Sequence, residues 1–156
     1  MKSADREPLI LGEFLPYRLS VVTEAVSRLF AEHYEARFGI TIREWRVMAV
    51  VGEAPPRSTQ EVIERTGMDR VKVSRAAIRL VDKGLLARRP DPGDARAHLL
   101  SLTRKGEGVY RAIVPLAREI QAALAAGLTA EEEAQLGAIL HKIGTRAAEL
   151  GASVEA

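Results

Sequence analysis

Arg70, Lys72, Arg75 and Arg79 are spaced two to four residues apart, with Val71 and Ser74 among them. Over a helix, Val73, Ala76, Ala77, Leu80 and Val81 form one inward stripe and leave those six residues on outer faces. An arginine on such a face can grip guanine through two hydrogen bonds, while serine and lysine can meet bases or phosphates. The start of the helix itself favours phosphate. A second group follows: Arg88, Arg89, Asp94 and Arg96 flank the turn formers Pro90-Asp91-Pro92-Gly93. A guanidinium on a narrow loop can enter a minor groove, where narrowing strengthens the negative potential. Asp94, two residues before Arg96, can hold the arginine or the loop. The plainer alternatives are a solvated basic helix face and an ordinary hairpin with aspartate as its turn residue.

The elements that would position these groups are written nearby. Ser58 with Glu61 forms a capping box that opens a helix over 59–65, and Thr66-Gly67 makes a tight turn. Asp69 can cap the basic helix over 70–83, with Gly84 at its end. Segments 85–89 and 97–102 can pair as two short strands around the turn-rich tip. Upstream, Leu15, Leu19, Val22, Val26 and Leu29 form one apolar stripe and predict a long helix over 14–38, stopped by Gly39. Thr41 with Glu44 opens a further helix over 42–53. Downstream, Thr103 caps a helix over 104–126 that Pro115 should bend or split. Thr129 with Glu132 opens a last helix over 130–150, with a frayed tail beyond Gly151.

The 156 residues suit one domain, 1–156, with a hydrophobic core. Net charge is only +2, but residues 57–111 hold 13 Lys and Arg against 7 Asp and Glu, a balance of +6, leaving −4 for the remainder. A basic centre between acidic ends suits a polyanion-binding core, although chance clustering on a solvated surface gives the same count. The absence of cysteine removes disulfides and thiol chemistry. No apolar run is long enough to cross a membrane, and the polar start does not resemble a signal peptide, so a cytoplasmic protein is expected. No Gly-x-Ser-x-Gly, phosphate-binding loop or dinucleotide fingerprint supports an enzyme. His33, His98 and His141 fall on three different elements, and no spacing suggests a metal or other cofactor. Glu131-Glu132-Glu133 reads as a helix start.

Together these residues resemble the MarR family of bacterial transcriptional regulators. The wing pattern Asp-x-x-Asp-x-Arg, then Leu-Ser-Leu-Thr-x-x-Gly, is matched by Asp91, Asp94, Arg96, Leu100, Ser101, Leu102, Thr103 and Gly106. The recognition-helix pattern is matched by Val73, Ser74, Arg75, Leu80, Val81, Asp82, Lys83, Gly84 and Leu85, and the stretch around Trp45-Arg46-Val47 is also similar. The resemblance implies a mainly α winged helix-turn-helix, with about six helices and a wing of two or three strands. It places the DNA-binding region at 41–103 and interlocking dimerisation helices at 10–40 and 104–150. Two recognition helices of such a homodimer would enter successive major grooves of a pseudo-palindrome, about 34–36 Å apart. Ala97 and His98 follow the wing arginine at positions that vary in such proteins and receive no role.

The resemblance also implies a small aromatic or anionic effector between the dimer helices and the DNA module. His33, Tyr34 and Trp45 could line that space, and Arg18 or Arg46 could meet an anion, although residues such as Tyr34 and Trp45 are more often core. Without cysteine, the peroxide-sensing thiol of some relatives is excluded. The expected function is sequence-specific binding of double-stranded DNA, as a repressor released by a ligand. The competing reading is a winged-helix protein-interaction module without specific DNA binding, against which the basic centre argues.

Overall fold

The computed structural model describes residues 8–154, apart from the side chains of Ala95, Arg96 and Val154. A 3-10 turn, Leu11–Glu13, leads into α1 (Leu15–Phe38), which takes Pro16 in its first turn, where a missing N–H costs nothing. Gly39, with φ 63°, ends it by donating its N–H to the Glu35 carbonyl. The two expected capping boxes then open α2 (Ile42–Glu53) and α3 (Thr59–Thr66). In each the hydroxyl of Thr41 or Ser58 accepts from the first turn, while Glu44 or Glu61 accepts the cap residue's own N–H at 2.7 and 2.8 Å. β1 (Arg57–Ser58) lies between these helices. α4 (Arg70–Asp82), β2 (Leu86–Asp91), β3 (Asp94–Leu102), α5 (Arg104–Ala125) and α6 (Ala130–Val154) follow.

The sheet is antiparallel with order β1-β3-β2, so β2 is an edge strand. That placement tolerates Pro90, whose lost donor would break an interior ladder. The wing is accordingly longer than its sequence pattern predicts. β2 runs through Pro90 to Asp91, β3 starts at Asp94, and the pairing shifts register at Pro90/Asp91. Turn formers mark where a chain can reverse, but the ladder continues to the last residues that can pair.

The core gathers around α2, which packs against α1, α3, α4 and β3. Val47, Met48 and Val51 of α2 are closed to water, as are Val62 of α3, Val73 and Leu80 of α4 and Leu100 of β3. Of the expected α4 stripe, Val73, Ala76, Ala77 and Leu80 are buried, whereas Val81 is only half-buried. Glu44 is buried as well, 1 % exposed, and its Oε2 accepts from both the Thr41 N–H and Lys83 Nζ, the latter at 2.8 Å. Lys83 Nζ also donates to the Gly39 carbonyl at 2.7 Å, so one ammonium ties the ends of α1 and α4 to the start of α2.

The chain divides into two compact units, one ending at Pro115 and one beginning at Leu116. α5 is not split by Pro115, though the boundary between units falls there. In the second unit the Thr129–Glu132 box opens α6, with Thr129 N donating to Glu132 Oε2 at 2.7 Å. α6 continues to Val154, past the fraying expected after Gly151.

Candidate nucleic-acid interface

The turn between α3 and α4 aims the basic helix. Gly67 takes φ 63°, a left-handed conformation that a side chain would strain, and donates to the Ile63 carbonyl at 3.0 Å. Thr66 Oγ1 donates to the Val62 carbonyl at 2.6 Å and accepts from Met68 N–H, while Met68 itself is buried. Asp69 then caps α4 by accepting from the Lys72 N–H at 2.8 Å. Its carboxyl is held below the ordinary aspartate range, first by the Lys72 side chain and then by that backbone bond.

Arg70, Val71, Lys72, Ser74, Arg75 and Arg79 are all exposed. The helical repeat divides them between two flanks. Arg70 and Ser74 line a groove of about 450 Å³ between α4 and the wing, together with Ser58, Thr59, Arg88 and His98. Lys72, Arg75 and Arg79 line a second groove of about 320 Å³ on the α2 side, beside Arg43. Val71 stands on the ridge between the flanks, 58 % exposed.

The wing separates its two incoming arginines. Arg88 pairs in register with Leu100 and Arg89 with Leu99, so their side chains leave opposite faces of β2. Arg88 faces the groove and reaches His98 Nδ1 at 3.0 Å; Arg89 is exposed outside it. Asp94 also lines the groove. The side chain of Arg96 lies outside the described residues. Two groove residues were missed by sequence reasoning. Gln60 Oε1 accepts from Arg70 Nη2 at 3.1 Å, and His98 meets Arg88. The strand period, which sets His98 two places from the residue opposite Arg88, was the available signal for the second.

An exposed cationic helix beside a grooved, arginine-bearing wing is the arrangement a DNA reader requires. A family model described as the MarR family matches residues 38–97. The transcriptional repressor NicR of Pseudomonas putida is 27% identical over an alignment of 132 positions that covers 78% of this chain and 84% of NicR. A mutant MarR from E. coli, solved in complex with operator DNA, is 28% identical and superposes with a TM-score of 0.76, covering 86% of this chain and 97% of that one. Over residues 38–97 the chain is similar to the MarR family. The fold is shared more widely: BpsR of Bordetella bronchiseptica gives a TM-score of 0.80 at 24% identity, covering 88% of this chain and 98% of that one. BpsR is a protein whose DNA binding is regulated by 6-hydroxynicotinic acid.

The expected effector residues are only partly gathered. Tyr34 and Trp45 meet at 5.6 Å between ring centroids. Phe30 and Tyr110, which sequence reasoning missed, extend the cluster on either side at 5.5 and 5.7 Å. Tyr34 is fully buried, its hydroxyl has no hydrogen-bond partner among the described residues, and burial pushes its pKa up to about 12. His33 spends Nδ1 on the Leu29 carbonyl at 2.8 Å. Arg18 and Arg46 are exposed, and neither lines a described pocket with the aromatic cluster.

Proposed function

We propose that this chain is a MarR-like regulator that represses transcription as a homodimer on a pseudo-palindromic operator. The observation that carries the reading is the exposed face of α4, with Arg70, Val71, Lys72, Ser74 and Arg75 clear of the core and Arg88 beside them on the wing. Ser74 and Arg75, one on each flank beside the Val71 ridge, would meet base edges. Lys72 and Arg79, on one flank, would meet phosphates, and Arg89 the backbone beyond the wing. Arg96 would enter the minor groove, with Asp94 shaping the wing tip. Likeness to the operator-bound E. coli protein and to the repressor NicR supports this assignment.

Selection of bound fragments from a genomic library, followed by anisotropy titrations at fixed salt, tests it. Arg75→Ala should relax the base preference, costing about 1–3 kcal/mol against the preferred operator. Arg96→Ala should weaken binding to all A·T-centred sites. Unchanged operator affinity for both variants overturns the assignment.

Release by a small aromatic, anionic effector completes the reading. The aromatic cluster Phe30, Tyr34, Trp45 and Tyr110, with an unsatisfied buried phenol, supports a site for a flat ligand near α1 and α2. His33 would offer its remaining ring nitrogen, and Arg18 or Arg46 would neutralise the anion. The regulation of BpsR by 6-hydroxynicotinic acid makes hydroxylated aromatic carboxylates the first compounds to screen. Such a ligand releases DNA only by preferring a dimer whose recognition helices are wrongly spaced. Thermal shift across such compounds, with Tyr34→Phe and Trp45→Ala as controls, is the measurement; a shift that both variants retain places the effector elsewhere.

A further inference from the structure

The contact between Arg88 and His98 fixes a protonation state. A guanidinium has no acceptor atom, so Arg88 Nη2 must donate and His98 Nδ1 must accept, at 3.0 Å. An imidazole can accept at Nδ1 only when neutral, with its proton on Nε2. Protonation puts a hydrogen on Nδ1 and a positive charge on the ring, which removes the bond and repels the arginine.

The two residues are placed to do this. Arg88 lies opposite Leu100, and His98 is two residues before Leu100 on the same strand, a diagonal pair on one face of the sheet. That face lines the groove between the wing and α4. Across the groove Arg70 is held the same way, by the neutral Gln60 oxygen of α3. Two arginines thus enter the groove from opposite walls, each aimed by an uncharged acceptor. Among the described residues, the charged groups facing His98 are Arg88 on β2, Arg70 on α4 and Asp94 at the start of β3. Ser58 and Thr59 near the start of α3, and Ser74 of α4, add only uncharged hydroxyls.

We propose that His98 is a positioning residue that aims Arg88 at DNA while neutral, so that operator discrimination by the wing falls when its imidazole takes up a proton. The proposal rests on the DNA-binding reading above and deepens it. Protonation has two separable consequences. Losing the aim of Arg88 weakens discrimination, while the added positive charge strengthens attraction to any phosphate backbone. Acidification therefore raises affinity for unrelated DNA and lowers the preference for the operator.

The test compares a duplex enriched by selection at about pH 8 with a scrambled duplex of the same length and composition, by anisotropy at fixed salt, down to about pH 5.5. The wild-type operator-to-scrambled affinity ratio should fall roughly three- to tenfold, the size of one net hydrogen bond. His98→Gln should hold its ratio level across that range, because an amide oxygen still accepts from Arg88 and does not titrate there. Arg88→Ala should give a low ratio that is also level. A wild-type ratio that stays constant with pH while the operator is still preferred, or a His98→Gln profile that follows the wild type, overturns the role of His98 alone. No preference for any selected duplex at either pH overturns the DNA-binding reading and this inference with it.

Discussion

Val71 is the residue whose exposure is hardest to explain by folding. It stands on the outer ridge of α4, 58 % exposed, between two flanks of cations, while the other valine of the first turn, Val73, is fully buried. Under the proposed docking it faces the base edges, where an apolar side chain finds the thymine methyl group. Val71→Ala should lower the preference for thymine at one position of each half-site, and replacing that thymine by uracil should produce the same loss in the wild type. An operator that is indifferent to uracil at every position would remove Val71 from base reading. Tyr34 presents the opposite case, a polar group where none is satisfied. Its hydroxyl is buried without a partner among the described residues, so Tyr34→Phe should leave stability unchanged or raise it by up to about 2 kcal/mol in denaturant titrations without effector. A clear loss of stability would show that the phenol has a partner. Single residues of this kind were partly legible in the sequence. The period of α4 separated Val71 from Val73, but nothing in the sequence marked Tyr34 as unsatisfied, because burial of a hydroxyl depends on what other elements bring to it.

At the scale of elements, the start and stop chemistry was legible and the tertiary use of side chains was not. Thr41, Ser58, Asp69 and Thr129 cap the helices expected of them, since a cap involves residues three apart in the chain. Gln60–Arg70 and Arg88–His98 were missed because each partner lies on a different element. Gly106 belongs between these cases: it was legible as part of a motif, but its reason is tertiary. A Cβ there would overlap the Leu85 carbonyl, where the end of α4 and its following turn meet the first turn of α5. Gly106→Ala should therefore cost about 2–3 kcal/mol. Gly108→Ala, two residues on in the same helix with open space around its site, should be neutral or stabilising by about 0.5–1 kcal/mol. Equal effects at the two positions would mean that helix propensity, not the close approach, dominates. Acid should loosen the same helix-turn-helix. The Glu61 carboxyl is held low by the Ser58 N–H and hydroxyl and by Arg57, and the Asp69 carboxyl by Lys72. Both are depressed on folding, so their contribution is present above the unfolded carboxylate range and is lost as pH falls below about 4. The pH dependence of stability in that range should be shallower in Glu61→Gln and Asp69→Asn; an unchanged slope in both would assign acid sensitivity to other groups.

For the whole molecule the decisive fact is how much apolar surface the chain leaves uncovered at its ends. Leu136, Ile139, Leu140 and Leu150 of α6 are exposed, and so are Leu9, Ile10, Leu11, Phe14, Leu15, Val21 and Val22 near and along the start of α1. A single copy in water would leave these side chains unburied, at roughly 25 cal/mol for each Å² that a partner could cover. Leu15 and Val22 were legible as part of one stripe, but a stripe does not say whether the same chain or a second one covers it. The proposed homodimer, with both ends taking part, would cover these side chains and would also supply the second recognition helix. Leu140→Glu, placed in the middle of α6, should then give a folded protein, with its helical circular dichroism retained, that sediments as a monomer. Because the two half-sites would no longer be bound as one intramolecular event, operator affinity should drop by about two orders of magnitude or more. The dependence of binding on salt should also shrink to about half its slope, since one α4 and one wing release half as many counterions. A variant that sediments as the wild type and keeps its salt slope would exclude α6 from the interface. One that becomes monomeric yet keeps full operator affinity would mean that a single winged helix suffices, and the pseudo-palindromic operator would lose its physical basis.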